Sequence, residues 1–428
     1  MKVHILGSGP TGISVAWELS RFTDHEVILY DKKPSVGGSW WEPPGEKRDV
    51  HAHRALFDKA FVNTQSLFRE MDITWNELFV QEKHEYVKTK DKRLKPVDYA
   101  SLASLATRVL LFPSEYKRKT VKESVGTLSS HGKKFMETIT YVMDGVGWDV
   151  MTAYEFIQNA NHIGLSKMYT QRGSGTKMND AMFRALEKRG VKFISEKTMK
   201  NIEYYDHGYV GTFTDGTVIN DGLLVLCVDN SSALKLVGSN WKGAREKMFA
   251  STYGSLTVML DYDSRIILPK EQYIAMNTKW SLIPEKLEGS NTVACVMCDL
   301  TEEIMTTPPD QIKKQVVEQL SNLGIREPDG VRIAWGSYWN GRRWEFTQSS
   351  GVLSVNGQVP FFGKSSNVAL CGMMSERHTP YSSIEAAIEV GRSFCNKKFG
   401  TRKPLKPILV TDILIVVIVL ILLMIYMR

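Results

Sequence analysis

The feature that most constrains the fold of this chain is a glycine-rich turn near its N-terminus, set between two predicted elements of regular structure. Residues 2–6 form a short, mainly apolar run that predicts a buried strand, and the turn that follows reads Gly7-Ser8-Gly9-Pro10-Thr11-Gly12. Apolar residues recur at helical spacing from Ile13 to Phe22, residues 26–30 predict a second strand, and Asp31 stands at its end. This strand–turn–helix–strand order, closed by an acidic residue, is the sequence context of a dinucleotide-binding turn.

Each residue type in the turn has a physical reason for its place in such a site. Gly7 permits the tight turn, Gly9 lets backbone N–H groups approach a pyrophosphate, and Gly12 lets the helix pack on the strand. The helix N-terminus adds partial positive charge beside the phosphates, and Asp31 would accept hydrogen bonds from a ribose hydroxyl. The alternative is a glycine-rich turn in an ordinary α/β domain, which the spacing to Asp31 disfavours.

The residues after Asp31 narrow the choice of dinucleotide cofactor. They read Lys32-Lys33-Pro34-Ser35-Val36-Gly37-Gly38-Ser39-Trp40, which resembles the FAD-binding opening of the flavin amine oxidase, protoporphyrinogen oxidase and phytoene desaturase superfamily. In register with that family, Asp31 falls on the ribose-binding acid, Lys33 falls where an Arg is usual, and Ser39 replaces a common Arg. The pair Gly37-Gly38 falls on the family's Gly-Gly pair, which NAD-binding domains do not need. The resemblance therefore implies FAD rather than NAD.

Two further segments resemble FAD-binding parts of the family. The stretch Asp49 to Arg54 falls where the chain returns past the flavin, with His53 on the family's histidine and His51 in place of a glycine. A surface loop with incidental histidines is the alternative for this stretch. A later block of glycine, helix, strand and hairpin implies that Thr198 and Met199 lie near the adenine side of the cofactor.

The closing motif of the family has a counterpart near the end of the chain. Residues 367–372 predict a strand that ends in glycine, and a helix is predicted to open after Pro380. The N-terminus of that helix would stabilise negative charge on a reduced flavin. Met373 stands where the family usually has an acidic residue, and Ala386 replaces a glycine of the helix opening.

The resemblance implies an α/β fold of the GR2 flavoprotein type, in which a Rossmann-like FAD-binding domain carries an inserted α+β substrate domain. The predicted boundaries are 1–60, 165–235 and 365–400 for the FAD-binding domain, 61–164 and 236–364 for the substrate domain, 401–407 for a basic linker and 408–427 for a transmembrane helix. The implied cofactor-binding residues are Gly7, Ser8, Gly9, Pro10, Thr11, Gly12, Asp31, Lys32, Lys33, Gly37, Gly38, Ser39, Trp40, His53, Arg54, Thr198, Met199, Gly372, Ser383 and Ile384.

The C-terminal part of the chain combines basic residues with a long apolar run. The run from Ile408 to Met427 has about the length that crosses a bilayer, and its acidic residue Asp412 lies near its start. Because basic residues precede the run and only Arg428 follows it, we expect a single-pass tail anchor with the main body on the cytosolic side. The formal net charge is +7, and much of it is predicted to form a juxtamembrane cluster of Arg392, Lys397, Lys398, Arg402, Lys403 and Lys406.

Cysteine usage and composition exclude several classes of protein. The chain has 5 cysteines and no secretory signal at its start, which predicts reduced thiols. Cys295 and Cys298 form a C-x-x-C pair, but they fall in a predicted strand and no second pair has zinc spacing, so we expect no metal site. No basic motif interleaved with aromatic residues indicates RNA binding, so we expect no nucleic-acid partner.

The predicted function is that of a membrane-anchored, FAD-dependent oxidoreductase of the amine oxidase-like class, with FAD bound non-covalently. Hydride would pass from an amine or from an apolar C–C substrate to the flavin, and a lipophilic substrate would suit the anchor. Two alternatives stay open: a non-redox flavin-dependent isomerase or mutase, and a flavin-binding scaffold without turnover. An aromatic cluster formed by Trp335, Tyr338, Trp339, Trp344 and Phe346 predicts either the wall of an apolar pocket or ordinary core packing.

Overall fold

A five-stranded parallel sheet organises the part of the chain that the structure describes. This computed structural model describes residues 1–43, 55–81, 94–173, 175–205, 208–237, 241, 252–269, 271–287, 289–346 and 350–426. Strands and helices alternate along the first part of the chain, as a parallel sheet requires.

The helices run from the glycine-rich turn to the C-terminal end of the described chain. In order they are α1 Pro10–Phe22, α2 Val62–Glu70, α3 Trp75–Leu78, α4 Pro96–Leu111, α5 Pro113–Tyr116, α6 Val121–Ser124, α7 Ser130–Asp144, α8 Ala153–Ile163, α9 Thr176–Lys188, α10 Asn230–Val237, α11 Glu271–Asn277, α12 Glu302–Thr306, α13 Pro309–Ser321, α14 Ile384–Phe399 and α15 Val410–Tyr426.

The strands are short, as is usual for globular proteins. In order they are β1 Lys2–Leu6, β2 Glu26–Tyr30, β3 Leu56–Phe57, β4 Phe79–Gln81, β5 Met168–Gln171, β6 Lys192–Ile194, β7 Met199–Tyr205, β8 Gly208–Phe213, β9 Val218–Ile219, β10 Leu223–Leu226, β11 Thr252–Tyr253, β12 Leu256–Asp261, β13 Ile283–Lys286, β14 Thr292–Met297, β15 Gly330–Ile333, β16 Ser337–Trp339, β17 Trp344–Phe346, β18 Ser350–Gly351 and β19 Val368–Leu370.

The parallel sheet has the strand order β19–β10–β1–β2–β6. Its central strands are apolar and covered on both faces, so that Val3, Ile5 and Val225 are fully buried. Continuous apolar runs of this kind are typical of parallel strands with helices on both faces. The predicted order of β1, α1 and β2, and the later return of the chain to the same sheet, are therefore confirmed.

Two helices cover one face of this sheet side by side. Helix α1 follows β1 through the glycine-rich turn, and α14 follows β19 through residues 371–383. The hydroxyl of Ser14 in α1 donates to the carbonyl of Ile388 in α14 at 3.0 Å, which fixes the two helices against each other. Because each helix starts after a parallel strand, both N-termini lie at the carboxyl edge of the sheet, where such folds bind ligands.

A second sheet is antiparallel, with the order β13–β14–β12–β15. Cys295 lies opposite Val258 in its register and is fully buried, as expected for a strand residue. Helix α13 covers this sheet with Ile312, Val316 and Leu320, all buried in the same apolar core. This α+β unit follows α10 in the chain, in the region predicted for the substrate domain, whose boundaries stay a prediction.

Two separate helices form between residues 120 and 144. Thr120 caps the short helix α6 by accepting from the N–H of Glu123, and Ser129 caps α7 by accepting from the N–H of Gly132. Each cap satisfies N–H groups that a new helix start leaves without partners. Helix α7 ends at Asp144, at the border of the cavity described below.

The predicted transmembrane anchor is wrong for the described chain. Helix α15 has 17 residues, which gives a length of about 25 Å against the roughly 30 Å of a bilayer's hydrocarbon core. Its first turn is also held by the protein, because the N–H of Thr411 donates to Asn161 Oδ1 at 3.0 Å. Among the residues the structure describes, no helix is both long enough and apolar enough to cross a membrane.

The predicted juxtamembrane basic cluster is also wrong in part. Arg392 is fully buried in α14 and pairs with Glu18 at 3.1 Å and with Glu70 at 3.1 Å. Arg402 pairs with the same two carboxylates, each at 2.5 Å. Net charge counted along a sequence cannot reveal such pairs, because the acids come from α1 and α2.

Candidate functional site: a cavity between the two sheets

A cavity of about 400 Å³ is lined by residues of both sheets. One end is formed by the glycine-rich turn and the ends of β2 and β10, and the other by β12 and β14 of the antiparallel sheet. The residues expected to bind a dinucleotide and those of the antiparallel unit thus meet in one space. Most of the predicted cofactor residues lie in its wall, namely Gly7, Gly9, Pro10, Thr11, Asp31, Lys32, Lys33, Gly38, Ser39, Trp40, Thr198, Met199, Gly372, Ser383 and Ile384.

Three of the predicted residues that the structure describes, Ser8, Gly12 and Gly37, do not line the cavity. Ser8 and Gly12 belong to the turn itself, and the N–H of Gly37 donates to the carbonyl of Ser8 at 2.9 Å. His53 and Arg54 lie outside the described residues, so their predicted contact with the cofactor stays a prediction.

The glycines of the turn fall into two kinds. A Cβ at Gly12 would collide with the carbonyl oxygen of Gly7, and a Cβ at Gly38 would collide with the backbone of Gly9. At Gly9 a Cβ would meet only the Cα of Gly38, at 3.6 Å, which is an ordinary contact. The fold therefore requires glycine at positions 12 and 38 but not at position 9, where the missing side chain leaves space in the cavity wall. A bound pyrophosphate fits this cradle.

Asp31 is held beside the turn by three hydrogen bonds. Its Oδ2 accepts from the N–H of Ser8 at 2.7 Å and from the Ser8 hydroxyl at 2.6 Å, and its Oδ1 accepts from the N–H of Lys33 at 2.9 Å. The side chain is buried but lines the cavity. This arrangement fixes the orientation of the carboxylate at the end of β2, the position from which an acid reaches a ribose in dinucleotide sites.

Lys33 connects the two walls of the cavity. Its ammonium group donates to the carbonyl of Gly38 at 2.8 Å and lies over the rings of Trp41 and Trp335, 4.9 and 5.3 Å from their centroids. The two indole rings meet edge to face at 5.5 Å. Trp335 follows β15 of the antiparallel sheet, so this contact joins the two sheets.

The N-terminus of α14 opens into the cavity. Ser383 caps the helix by accepting from the N–H of Ala386 at 3.1 Å, and Ser382, Ser383 and Ile384 lie in the wall. A helix N-terminus carries partial positive charge, which stabilises a neighbouring anion. Met373 also lines the wall, so the acid usual in the family has no counterpart there, whereas Ala386 is fully buried behind the wall.

The cavity wall also contains a buried charged group that the sequence patterns did not single out. We call Asp144, Glu155 and Arg377 the acid cluster; they come from the end of α7, from α8 and from the segment before α14. Asp144 lines the cavity, Glu155 lies behind it fully buried, and Arg377 is 6% exposed. Burial raises the pKa of Asp144 to about 7 against the opposing charge of Arg377, and burial together with the charge of Asp144 raises the pKa of Glu155 well above its usual range. Only their convergence in space could have identified them.

The aromatic cluster predicted near residue 340 is divided by the structure. Trp335 and Phe346 line the cavity together with the apolar Val296. Trp344 is buried in the core of the antiparallel sheet, and Tyr338 is exposed. Each predicted interpretation therefore holds for different members of the cluster.

Comparison with known proteins supports the same fold. Residues 5–60 match a model of the NAD(P)-binding Rossmann-like domain. No curated protein matches the chain in sequence. Among solved structures, a redesigned double mutant of putrescine oxidase superposes with a TM-score of 0.62 at 12% identity, covering 92% of this chain and 98% of that one. The fold is that of the amine oxidases.

Two further structures agree with this amine oxidase fold. Cyclohexylamine oxidase from Brevibacterium oxydans IH-35A has a TM-score of 0.61 at 12% identity, covering 91% of this chain and 96% of its own. An oxidoreductase from Methanosarcina mazei has a TM-score of 0.57 at 14% identity, covering 92% and 100%. The predicted Rossmann-like α/β architecture is thereby confirmed.

Proposed function

We propose that the protein is an FAD-dependent oxidoreductase that removes a hydride from an amine or from an apolar C–C substrate. The observation that carries this proposal is the single cavity, in which the cradle at Gly9 and the N-terminus of α14 share one space with the apolar surface of β14. A dinucleotide site and a substrate chamber must adjoin if a hydride is to pass between them. The amine oxidases named above give the fold-level support for an amine substrate.

FAD, when bound, supplies the hydride acceptor, and the chain supplies binding and orientation. The turn at Gly9 and the N-terminus of α1 would hold the pyrophosphate, and Asp31 would hold a ribose hydroxyl. The N-terminus of α14, capped by Ser383, places partial positive charge in the wall, where it stabilises an anionic ring. Because residues 367–392 resemble the closing motif of the family, this helix would lie at the flavin end of the cofactor.

The substrate end of the cavity is mainly apolar. Val296, Trp335 and Phe346 exclude water and suit the hydrocarbon part of a substrate. Tyr141 adds a phenol in the wall whose pKa is raised by burial and by the charge of Asp299. Its O–H hydrogen-bonds to the Asp299 side chain, which leaves the phenol oxygen to accept a hydrogen bond from a substrate N–H. An amine with a hydrocarbon body fits this combination of apolar surface and polar groups.

The test is flavin bleaching. The full chain is purified, saturated with FAD and mixed under anaerobic conditions with a panel of alkylamines that includes putrescine and cyclohexylamine, and in parallel with apolar substrates that have a saturated C–C bond beside an alkene. Loss of the visible flavin absorption with one panel is expected. A stably bound flavin that no member of either panel reduces would contradict the enzymatic proposal and favour a scaffold.

Non-covalent attachment is part of the same proposal. Denaturation of the saturated protein should release FAD into solution, where it separates from the polypeptide by filtration. Flavin absorption that remains with the denatured chain would contradict this part and leave the hydride-transfer proposal intact.

A further inference from the structure

The acid cluster contains more acid than its surroundings neutralise. Asp144 and Glu155 are both buried, and Arg377 is the cation beside them. The Arg377 guanidinium also donates to the carbonyls of Gly351 and Met373, at 3.4 and 2.9 Å. Two ionised carboxylates beside one arginine would leave an uncompensated negative charge in the interior, which is costly. One proton must therefore be shared between the two carboxyl groups.

The hydrogen bonds indicate which carboxyl holds that proton. Glu155 Oε2 accepts from the N–H of Leu353 at 3.0 Å, whereas Glu155 Oε1 is buried without a donor among the described residues. Asp144 accepts from Asn159 at 3.1 Å and from the backbone N–H of Ser382. Hydrogen bonds therefore stabilise a negative charge on Asp144 better than on Glu155. We assign the proton to the Glu155 oxygen that has no donor, from which it would be donated to Asp144.

The groups around the pair leave its charge unchanged near neutral pH. Burial lowers the pKa of His162 to about 4, so this residue is neutral. Glu389 accepts from the N–H groups of His378 and Thr379, at 2.8 and 2.7 Å, and is satisfied without the cluster. The groups whose charge or ionisation interacts with the pair are Arg377 and Tyr381, both in the segment before α14. Tyr381 also interacts with Glu385 and Glu389 on α14.

We propose that Asp144 is the proton acceptor of the cavity, and that Glu155 is a positioning residue that stays protonated and donates a hydrogen bond to it. The ligand that Asp144 serves is a protonated alkylamine, which binds as a cation and reacts as a neutral base. This role rests on the proposed function, since the amine brings the proton.

The chemistry requires such an acceptor. An alkylammonium ion has a pKa of about 10 and no lone pair, so it cannot stabilise the cation that hydride loss creates on the adjacent carbon. In the proposed step one N–H bond of the ammonium breaks, its electron pair stays on nitrogen, and an O–H bond forms on Asp144. The apolar wall favours this transfer, because burial lowers the pKa of an amine and raises that of a carboxyl group.

A first experiment needs no substrate. Infrared difference spectra of the full chain between about pH 6 and pH 8 report buried carboxylic acids through their carbonyl stretch. We expect one group to titrate near neutral pH in the wild type, and the titration to vanish in Asp144→Asn. It should persist in Glu155→Gln, because the amide imitates a carboxyl group that stays protonated. Glu137→Gln, an exposed acid on the same helix, is the matched control and should resemble the wild type.

Each departure from this pattern has a defined meaning. Persistence of the titration in Asp144→Asn would overturn the proposal. Loss of the titration in Glu155→Gln would show that Glu155, and not Asp144, exchanges the proton, and would also overturn it. If Asp144→Asn does not fold, Asn159→Leu provides the test. Removing the amide that donates to Asp144 should move the titration to higher pH, and an unmoved titration would contradict the assignment.

A second experiment measures anaerobic flavin reduction against pH with an amine that bleaches the flavin. In the wild type the rate constant should rise with pH through about 7, because Asp144 must be ionised to accept the proton. Asp144→Asn should lower the rate by about 10²- to 10⁴-fold and remove the rise, whereas Glu155→Gln should keep the rise. If only a C–C substrate reduces the flavin, the proposed function stands and the amine role of Asp144 is contradicted. If neither panel reduces the flavin, the proposed function fails, while the infrared titration still decides the state of the pair.

Discussion

Two groups of buried charges lie near helix α14, and they are built differently. The ion-pair cluster, Glu18, Glu70, Arg392 and Arg402, has two acids and two arginines, with contacts between 2.5 and 3.1 Å. A third arginine, the partly exposed Arg21, also pairs with Glu70, at 2.7 Å. The acid cluster has two acids beside one arginine and borders the cavity. In the first group the cations at least match the acids and join α1, α2 and α14, whereas in the second the acids outnumber the cation and retain a proton.

The pKa values of an acid in each group are shifted in opposite directions. Burial acts to raise the pKa of Glu70, but hydrogen bonds from Arg402, Ser66 and Trp17 outweigh it and lower that pKa to about 2. In the acid cluster burial prevails and raises the pKa of Asp144 to about 7. Burial acts in the same direction on both carboxyl groups, and it acts more strongly on Asp144, which is the more deeply buried. Only at Glu70 do the cationic and hydrogen-bond donors outweigh it.

The largest stability effect is expected from breaking the ion-pair cluster. Arg392→Met removes the fully buried arginine of the cluster and leaves the buried Glu18 paired with the partly exposed Arg402, which should destabilise the protein by about 3–5 kcal/mol. Denaturant unfolding at neutral pH measures this change. The control is Lys397→Met on the same helix, whose ion pair with Glu376 is exposed and is worth at most about 1 kcal/mol. Equal losses of stability in the two variants would show that the buried pairs of Arg392 contribute no more than the exposed pair of Lys397.

The pH dependence of stability should have opposite signs in the two groups. The folded-state pKa of Glu70 is lowered, so its contribution is present above its unfolded pKa of about 4 and is lost as the pH falls toward about 2. Glu70→Gln should therefore cost more at pH 7 than at pH 3, by an amount on the order of 2 kcal/mol. Unfolding curves of this variant and the wild type at both pH values measure the difference. If the loss of stability in Glu70→Gln does not depend on pH, the predicted difference in pH dependence between the two groups is contradicted.

Asp144 should show the reverse, with a smaller net effect. Its folded-state pKa is raised, so the favourable contribution is complete below its unfolded pKa of about 4 and is lost as the pH rises through about 7. Relative to the wild type, Asp144→Asn should become more stable between pH 4 and pH 8, by an amount on the order of 1–3 kcal/mol. Thermal unfolding at the two pH values checks this. A relative stability that falls with rising pH would show that Asp144 is ionised and satisfied in the fold.

The sequence predicted the nucleotide-binding half of the cavity because its signals are local. The turn, its helix and Asp31 occur within a short N-terminal stretch, and hydrophobic periodicity separates the strands from the helix between them. The strand at residues 368–370, within the predicted segment 367–372, was found for the same reason. The acid cluster was not found, because Asp144, Glu155 and Arg377 come from three segments and no spacing relates them.

The C-terminal prediction failed for the same physical reason. An apolar run and a set of basic residues are local patterns, and together they favoured an anchor with a basic flank. The structure instead pairs Arg392 and Arg402 with acids from α1 and α2, and holds Thr411 through Asn161 of α8. Such long-range partners leave no signature in the neighbouring sequence.

The central claim is that the cavity holds FAD in the cradle at Gly9, and a flavin titration of the purified full chain tests it most directly. The wild type should take up FAD, with a change in the visible flavin spectrum, and Gly9→Val should fold but bind none, because its side chain would occupy the space of the pyrophosphate. Gly208→Val is the matched control, since a Cβ at Gly208 meets nothing within 4 Å. Undiminished FAD binding by Gly9→Val, or a folded wild type that takes up no FAD, would contradict the account.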